Sequence, residues 1–212
     1  MRAGRKDAAG QHCALFVTEV RRSVLPAAQA LNAQLEAIAY SLAEEDEAGQ
    51  AWCTAHAYPG YTSYGSINDL AWRFPPFALL KKLFSKEAKA FAALLEWDLG
   101  KRALRLDSMW VNVLGPGGGH SGHIHPNSVL SGTYYVRVPE GASALRLEDP
   151  RLPLMMAAPP RLGNCQPARQ GFIYLQPQAG EVIMWESWLR HEVPMGDCEE
   201  DRISISFNIA WN

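Results

Sequence analysis

The sequence predicts an α+β fold, mostly β, in which N-terminal helices support a β sandwich or barrel. In the first half of the chain, apolar residues recur at helical spacing, whereas from about residue 103 short β-rich runs alternate with Pro and Gly. With 212 residues and 48% hydrophobic content, the chain can bury one full core. We therefore expect a single domain over 1–212, with strand and helical support in 8–102 and the β core in 103–212.

The first half contains two predicted helices. Residues 13–20 are rich in β-formers and predict a first strand, after which Pro26 stands where a helix can begin. The apolar stripe of the first helix consists of Leu31, Leu35, Ile38 and Leu42. The acidic run 44–47 and Gly49 are its predicted end. A second stripe runs from Phe77 to Leu95, with a break allowed near Ser85.

The second half contains the predicted strands. They fall at 104–114, 129–138, 143–148, 171–176, 180–186 and 202–211. Regularly spaced short strands are typical of a sandwich or barrel. Residues 57–76 and 151–170 are the least regular, and we expect them to form the outer wall of any pocket.

Composition excludes several classes of protein. A formal net charge of -2 argues against a dedicated nucleic-acid binder, which usually carries a basic face. The four cysteines form no CxxC pair, so a zinc ribbon is not indicated and reduced thiols are expected. No apolar run is long enough to cross a bilayer, and no apolar signal segment follows the basic residues 1–7. We expect a cytoplasmic protein without nucleic-acid or membrane partners, with a homodimer as one candidate assembly.

Histidines carry the first chemical signal. His120, His123 and His125 fall within residues 119–126, and His191 lies 66 residues after His125. In an extended strand, residues i and i+2 point to the same face, so the imidazoles of His123 and His125 can both bind one metal ion. A third histidine from a distant strand would complete one face of an octahedron, the arrangement of non-haem iron oxygenases. The competing interpretation is that they are ordinary polar surface or structural histidines.

The last predicted strand carries the second signal. Its polar residues Arg202, Ser204, Ser206 and Asn208 alternate with apolar ones. This pattern is typical of a half-buried strand whose polar face meets water, but in a barrel that face can point inward. Arg202 lies eleven residues after His191, and an antiparallel hairpin would bring the two side by side. An Arg fork beside a hydroxyl suits one end of a dicarboxylate, while a metal holds the other end.

With these residues, the chain resembles the 2-oxoglutarate/Fe(II) oxygenase superfamily, and more closely its bacterial and phage branch of 2OG-Fe(II) oxygenases. The resemblance lies in 109–112 (Met-Trp-Val-Asn), 123–128 (His-Ile-His-Pro-Asn-Ser), 130–135 (Leu-Ser-Gly-Thr-Tyr-Tyr), 148–151 (Glu-Asp-Pro-Arg), 191–193 (His-Glu-Val) and 202–208 (Arg-Ile-Ser-Ile-Ser-Phe-Asn). It implies a double-stranded β-helix, or jelly-roll, core that holds the metal site.

The resemblance also implies roles for individual residues. His123 and His191 match the two metal-binding histidines of the superfamily. Arg202 matches the cation that binds the C5 carboxylate of 2-oxoglutarate, and Ser204 matches the hydroxyl beside it. His125 departs from the pattern, because a carboxylate normally stands there. All-histidine iron sites exist in cupin-type dioxygenases, so this departure does not exclude the chemistry.

Asn112 and Tyr135 are candidates for the 2-oxoglutarate pocket, with ordinary strand packing as the equal alternative. Several other residues remain alternatives. His120 could replace His123, and a carboxylate could come from Asp149, Glu186 or Glu192. Tyr61, Tyr64 and Trp72 could form a lid over the substrate, although we expect them in the core.

A second departure from the superfamily lies at 185–187, Trp-Glu-Ser, where an aromatic residue followed by Pro is expected; we expect it to affect only a turn.

The implied function is oxygenation, with hydroxylation as the default, of a small-molecule or peptide substrate with O₂, Fe(II) and 2-oxoglutarate. Two rivals remain open at this point. One is a cupin-like dioxygenase that uses the three histidines without 2-oxoglutarate. The other is a non-catalytic jelly-roll module that binds a structural metal or a sugar.

Overall fold

The computed structural model describes residues 6–7 and 10–212, with side chains from residue 11 onward. The basic start of the chain therefore lies largely outside the described residues. The helices are α1 (Gln29–Glu45), α2 (Glu47–Ala55), α3 (Leu70–Arg73) and α4 (Pro75–Leu94). The strands are β1 (Lys6–Asp7), β2 (Gly10–Gln11), β3 (Val20–Val24), β4 (Tyr61–Thr62), β5 (Leu104–Leu114), β6 (His120–His123), β7 (Leu130–Arg137), β8 (Leu145–Glu148), β9 (Phe172–Leu175), β10 (Glu181–Glu186), β11 (His191–Val193) and β12 (Arg202–Trp211). Short 3₁₀ turns lie at Leu152–Leu154 and Pro167–Arg169.

Two antiparallel sheets form the β half. The larger sheet has the order β3-β10-β7-β12-β5-β4, and the smaller has the order β6-β11-β8-β9. The six strands that hydrophobic alternation predicts all form, with ends shifted by no more than two residues. Strands β3, β4, β6 and β11 were not predicted at these positions, because their two to five residues carry too little alternation to identify a strand.

The helices cover one face of the larger sheet. Leu35 and Leu42 of α1, together with Phe84 and Phe91 of α4, belong to one buried cluster with the apolar residues of β5, β7 and β12. The ring of Phe84 stacks on Phe207 of β12 with centroids 3.8 Å apart. The predicted apolar stripes of both helices are confirmed by this packing. None of the described helices is long and apolar enough to cross a membrane.

The smaller sheet packs on the other face of the larger one. Tyr135 and Trp185 of the larger sheet share a buried cluster with Leu145 and Leu147 of β8. Between the two sheets, beside this cluster, a cavity remains open. Strands β7 and β12 of the larger sheet are therefore buried on both faces, one against helices and one against the smaller sheet or the cavity.

Three local predictions are wrong. Residues 13–20 are irregular until Val20, and the strand lies at Val20–Val24, where it pairs with β10. Helix α4 runs unbroken through Ser85, whose hydroxyl donates to the Lys81 carbonyl one turn earlier and so stays compatible with the helix. The predicted loop 57–76 contains β4 and α3, and the tertiary pairing of β4 with β5 supplies order that the local sequence does not.

The acidic run predicted to end the first helix instead joins two helices. Asp46 closes α1, and its carboxylate accepts the Gly49 N–H at 3.0 Å, which caps the start of α2. The same carboxylate accepts hydrogen bonds from Tyr61 and Ser66. A Cβ at Gly49 would lie 2.2 Å from the Asp46 carboxylate, so glycine is required here by close approach rather than as a helix end. Burial acts to raise the pKa of Asp46, but the hydrogen bonds from Ser66, Gly49 and Tyr61 outweigh it and hold the pKa below its ordinary value.

Asp46→Ala should destabilise the fold by about 2 kcal/mol, the upper range for an N-cap, because it also leaves the Tyr61 hydroxyl without its acceptor. In the folded protein the pKa of Asp46 lies below its ordinary value of 3.8. The loss in free energy of unfolding should therefore be full above pH 3.8 and should shrink at lower pH, as the carboxylate is protonated. Urea unfolding at several pH values measures both effects. Asp98→Ala, which removes an exposed turn contact to Gly100, is the matched control and should stay within about 0.5 kcal/mol. An equal loss in both variants, or a deficit independent of pH, would contradict this role.

Candidate metal centre and adjoining cavity

Three histidines from two strands and one turn meet at one point. His123 ends β6 and lies directly opposite His191, the first residue of β11. His125 lies in the turn after β6, where its backbone N–H donates to the Ser187 carbonyl at 3.0 Å. Ligand nitrogens of the three side chains lie within 4.8 Å of one another. The structure brings the three predicted histidines together, and their role as metal ligands stays a prediction. The geometric reason given for the group is partly wrong, because His125 lies beyond the end of the strand that carries His123.

Backbone carbonyls orient two of the three rings. Nδ1 of His123 lies 2.7 Å from the Ser121 carbonyl, and Nδ1 of His191 lies 2.8 Å from the Leu189 carbonyl. Because a carbonyl only accepts hydrogen bonds, each Nδ1 carries a proton. The Nε2 atom of each ring is then the one that can bind a metal ion. Nε2 of His125 lies 3.3 Å from Nε2 of His191. Two nitrogens that close need either a proton or a cation between them.

Burial keeps the rings of His125 and His191 neutral. It lowers the pKa of His191 to about 3 and that of His125 to about 4, and the nearby His123 adds to both effects. Neutral imidazoles at physiological pH are the form that binds divalent transition metals. The donor set therefore fits a metal such as Fe(II), Ni(II) or Zn(II).

The alternative ligands have other partners. Nε2 of His120 lies 2.9 Å from the Tyr58 hydroxyl, and His120 is not part of the metal-binding group. Asp149 forms an ion pair with Arg151 outside the cavity. Glu192 lines the cavity but pairs with Arg146 at 2.7 Å. Neither these two carboxylates nor Glu186 belongs to the histidine group, which is the one group of this kind among the described residues.

The histidines open into a cavity of about 330 Å³ between the two sheets. Its outer wall includes Trp52, Tyr58, Thr62 and Tyr64, so the predicted contribution of residues 57–76 is supported. Residues 151–170 contribute nothing to this wall, and that prediction is wrong. These residues lie beyond β8, which separates them from β6 and the histidines in the smaller sheet.

Tyr61, Tyr64 and Trp72, for which both a lid and a core position were considered, lie in different surroundings in the structure. Tyr61 is buried in the core as expected. Tyr64 lines the cavity with 59% of its surface exposed, and Trp72 is 85% exposed on α3. The expectation of core packing is therefore wrong for Tyr64, which lies just after β4, and for Trp72, which lies on the outer face of α3.

Arg202 is a buried cation without a counter-ion. It is 3% exposed, lines the cavity and forms no ion pair with any described residue. Its guanidinium lies 5.1 Å from the centre of the Tyr135 ring, and its Nε has no hydrogen-bond partner. The predicted hairpin with His191 is wrong, because β11 and β12 belong to different sheets. Both residues line the cavity, so they face the same space from different sheets instead of pairing along one sheet.

The polar face of β12 extends the floor of this cavity. Ser204 is buried and lies opposite Asn112 on one side and Tyr135 on the other. The Asn112 amide is held by protein: its oxygen accepts from Thr62 at 2.9 Å, and its nitrogen donates to Ser206 at 3.1 Å. Asn112 is thus placed at the cavity, but its amide already has protein partners, which favours the packing alternative for this residue.

Three buried side-chain atoms among the described residues lack a hydrogen-bond partner, and all three belong to residues that line this cavity. They are Nε of Arg202, the Tyr135 hydroxyl and Nε1 of Trp185. Each can donate a hydrogen bond, and each unmet donor costs about 1–3 kcal/mol. This arrangement fits an anionic ligand rich in acceptor oxygens. Sequence reasoning missed Trp185; its one signal was that it opens the 185–187 departure from the superfamily pattern.

Comparison with known proteins agrees with this geometry. Residues 108–208 match the family model described as "Putative 2OG-Fe(II) oxygenase". That region contains all seven residues predicted to bind metal or cosubstrate. Among curated proteins, no sequence matches this chain.

Several solved structures have a similar fold. A prolyl-4-hydroxylase from Pseudomonas putida shares 15% identity, with a TM-score of 0.55 over 91% of this chain and 92% of that chain. HygX from Streptomyces hygroscopicus, solved with nickel and 2-oxoglutarate, shares 13% identity, with a TM-score of 0.57 over 92% and 83%. AviO1 from Streptomyces viridochromogenes shares 12% identity, with a TM-score of 0.58 over 92% and 90%. The predicted jelly-roll core is confirmed by this likeness.

Replacing His123, His125 or His191 with Ala should each weaken Ni(II) binding by roughly a hundredfold or more, since even outer partners of metal ligands contribute 10–100-fold. His120→Ala is the matched control and should bind Ni(II) normally, because His120 bonds to Tyr58. Calorimetric titration of each purified variant measures this. Wild-type affinity in His125→Ala would remove His125 from the site and leave a two-histidine centre.

Proposed function

We propose that this chain, whose residues 108–208 match a 2OG-Fe(II) oxygenase family model, hydroxylates a small-molecule or peptide substrate with O₂, Fe(II) and 2-oxoglutarate. His123, His125 and His191 hold the metal, and Arg202 binds the far carboxylate of 2-oxoglutarate. One observation carries the proposal: a buried guanidinium without a counter-ion lines the same cavity as the group of three histidines.

The metal ligands are positioned before any metal arrives. Carbonyl acceptors fix the rings of His123 and His191, and the backbone contact to Ser187 fixes the turn of His125. When bound, Fe(II) supplies the activation of O₂, coupled to conversion of 2-oxoglutarate to succinate and CO₂. Because all three ligands are neutral, the site should hold Fe(II) less tightly than one with a carboxylate.

The cosubstrate pocket supplies donors and positive charge. The Arg202 fork can bind a carboxylate through two parallel hydrogen bonds, which are stronger than neutral ones and fix orientation. The buried Ser204 and Tyr135 hydroxyls lie beside it in the register of β12 and β7. Bound in this way, a dianion satisfies Arg202 and Tyr135 and meets no unpaired carboxylate in the cavity wall.

The substrate would occupy the outer part of the cavity. Trp110 lies 6.1 Å from His125, and the exposed Tyr64 packs edge-on against Trp110 at 5.2 Å. These apolar faces can exclude water from the metal while leaving an entry beside Tyr64. Asn112 contributes by holding Thr62 and Ser206 in place.

We also propose that the chain forms one domain, with 8–102 as support for the core in 103–212. The apolar cluster shared by α1, α4 and the larger sheet favours this arrangement. The unpaired Arg202 favours 2-oxoglutarate over the two rival functions, since neither a cupin-like dioxygenase nor a structural metal site needs it. A cytoplasmic location, a homodimer and the lack of a nucleic-acid partner stay predictions.

Arg202→Met should weaken 2-oxoglutarate binding by roughly a hundredfold, because it removes a charge-assisted bidentate contact, and leave Ni(II) binding within about threefold. Calorimetric titration of the Ni(II)-loaded protein with 2-oxoglutarate measures the first effect. Arg73→Met is the matched control, because the half-exposed Arg73 pairs with Asp69 on the helix surface and neither residue lines the cavity. Lost metal affinity with normal 2-oxoglutarate binding would contradict the assignment.

Turnover tests the function itself. The Fe(II)-loaded protein should form succinate from 2-oxoglutarate under air, and candidate substrates should increase the rate. The His191→Ala variant, which lacks a metal ligand, should form none. Metal-loaded wild-type protein that neither binds 2-oxoglutarate nor forms succinate would exclude the proposed function and leave the two rivals.

A further inference from the structure

Trp185 is the unexpected member of the cavity wall. It lies in β10, between β7 and β3, and only 2% of its surface is exposed. Its backbone is paired on both sides, opposite Ser131 and Val20, so the indole has little freedom to turn elsewhere. Its Nε1 has no hydrogen-bond partner in the described chain. A buried N–H held in this way costs about 1–3 kcal/mol unless an acceptor enters the cavity.

Neighbouring polar groups are already engaged with one another. The Ser131 hydroxyl donates to Asn208 at 2.8 Å and lies 2.8 Å from the Ser187 hydroxyl. Asn208 in turn donates to Ser108 at 3.2 Å. Nδ1 of His191 is bonded to the Leu189 carbonyl. The polar side chains beside Trp185 thus satisfy each other and leave its N–H for a ligand in the cavity.

The position of Trp185 indicates which end of the ligand it meets. Its ring centroid lies 4.6 Å from that of His191. Arg202, by contrast, lies beside Tyr135, which is four residues along β7 from Ser131, the register partner of Trp185. At about 3.3 Å per residue, that separation is roughly 13 Å along the strand. Trp185 therefore marks the histidine end of the cavity, and Arg202 marks the other end.

We propose that the Trp185 indole N–H donates to a carboxylate oxygen at the 2-oxo acid end of the bound cosubstrate. The inference rests on the proposed use of 2-oxoglutarate and adds a second fixed point to Arg202. The Trp185 N–H and the Arg202 guanidinium lie at opposite ends of the cavity. Together they favour a ligand whose two carboxylates are far enough apart to reach both donors. Trp185 is a binding and orienting residue, since no proton or electron passes through it.

The indole signals of the protein itself provide the first test. The chain has seven tryptophans, so the ¹⁵N-labelled, Zn(II)-loaded protein should show seven indole N–H signals. Trp185→Phe identifies one of them by its loss. On addition of 2-oxoglutarate, that signal in the wild-type protein should move downfield more than the other six. This measurement needs neither turnover nor a mutated protein in the bound state.

Affinities provide the second test. Trp185→Phe keeps an aromatic ring and removes the N–H, so the Kd for 2-oxoglutarate should rise roughly tenfold to hundredfold. Pyruvate has the 2-oxo acid group but no far carboxylate. Trp185→Phe should weaken pyruvate and 2-oxoglutarate equally, whereas Arg202→Met should weaken 2-oxoglutarate alone. Trp211→Phe is the matched control, because the Trp211 N–H bonds to the Leu99 carbonyl away from the cavity.

The outcomes separate the inference from the proposed function. If 2-oxoglutarate binds but the Trp185 signal does not move and Trp185→Phe binds within twofold of wild type, the inference is wrong and the function stands. If Trp185→Phe weakens 2-oxoglutarate but not pyruvate, Trp185 does not act at the 2-oxo acid end, which also overturns the inference. If the Zn(II)-loaded wild-type protein binds no 2-oxoglutarate, both fail.

Discussion

A guanidinium buried without an anion is the constraint around which this structure is arranged. Arg202 is almost fully enclosed between two sheets, where an uncompensated charge is far less favourable than in water. The Arg202 guanidinium lies over the ring of Tyr135. The cavity wall gives it no carboxylate partner, since Glu192 forms an ion pair with Arg146. Burial lowers the pKa values of His125 and His191 across the cavity, so these two rings are neutral. A site of this kind gains stability when a dianion and a metal bind together.

Strand β12 connects this site to the fold. Its apolar residues Ile203 and Phe207 pack against the helices, and its alternate residues Arg202 and Ser204 face the cavity. Packing against α1 and α4 therefore positions the strand that carries Arg202. A core change at Phe207, which stacks on Phe84, would be transmitted to the cosubstrate pocket through one strand.

Sequence alternation predicted the long strands well, because a period of two over six or more residues has few competing structures. It failed for β6 and β11, where pairing between His123 and His191 creates strands of only three or four residues. Residue type and family pattern were enough to predict the group of three histidines. They could not predict that His125 lies in the turn after β6, because a strand this short gives no alternation from which to read its end. Trp185 could not be found at all, since an unmet hydrogen bond is a property of three-dimensional surroundings.

The central claim is that one cavity binds a metal through three histidines and an oxo-dicarboxylate between that metal and Arg202. A crystal structure of the Fe(II)-loaded protein, soaked anaerobically with 2-oxoglutarate, tests both parts at once. We expect His123, His125 and His191 on the metal, one carboxylate of 2-oxoglutarate on Arg202 and the 2-oxo acid group at the histidine end. A metal held without His125, or a ligand that leaves Arg202 unpaired, would contradict the account.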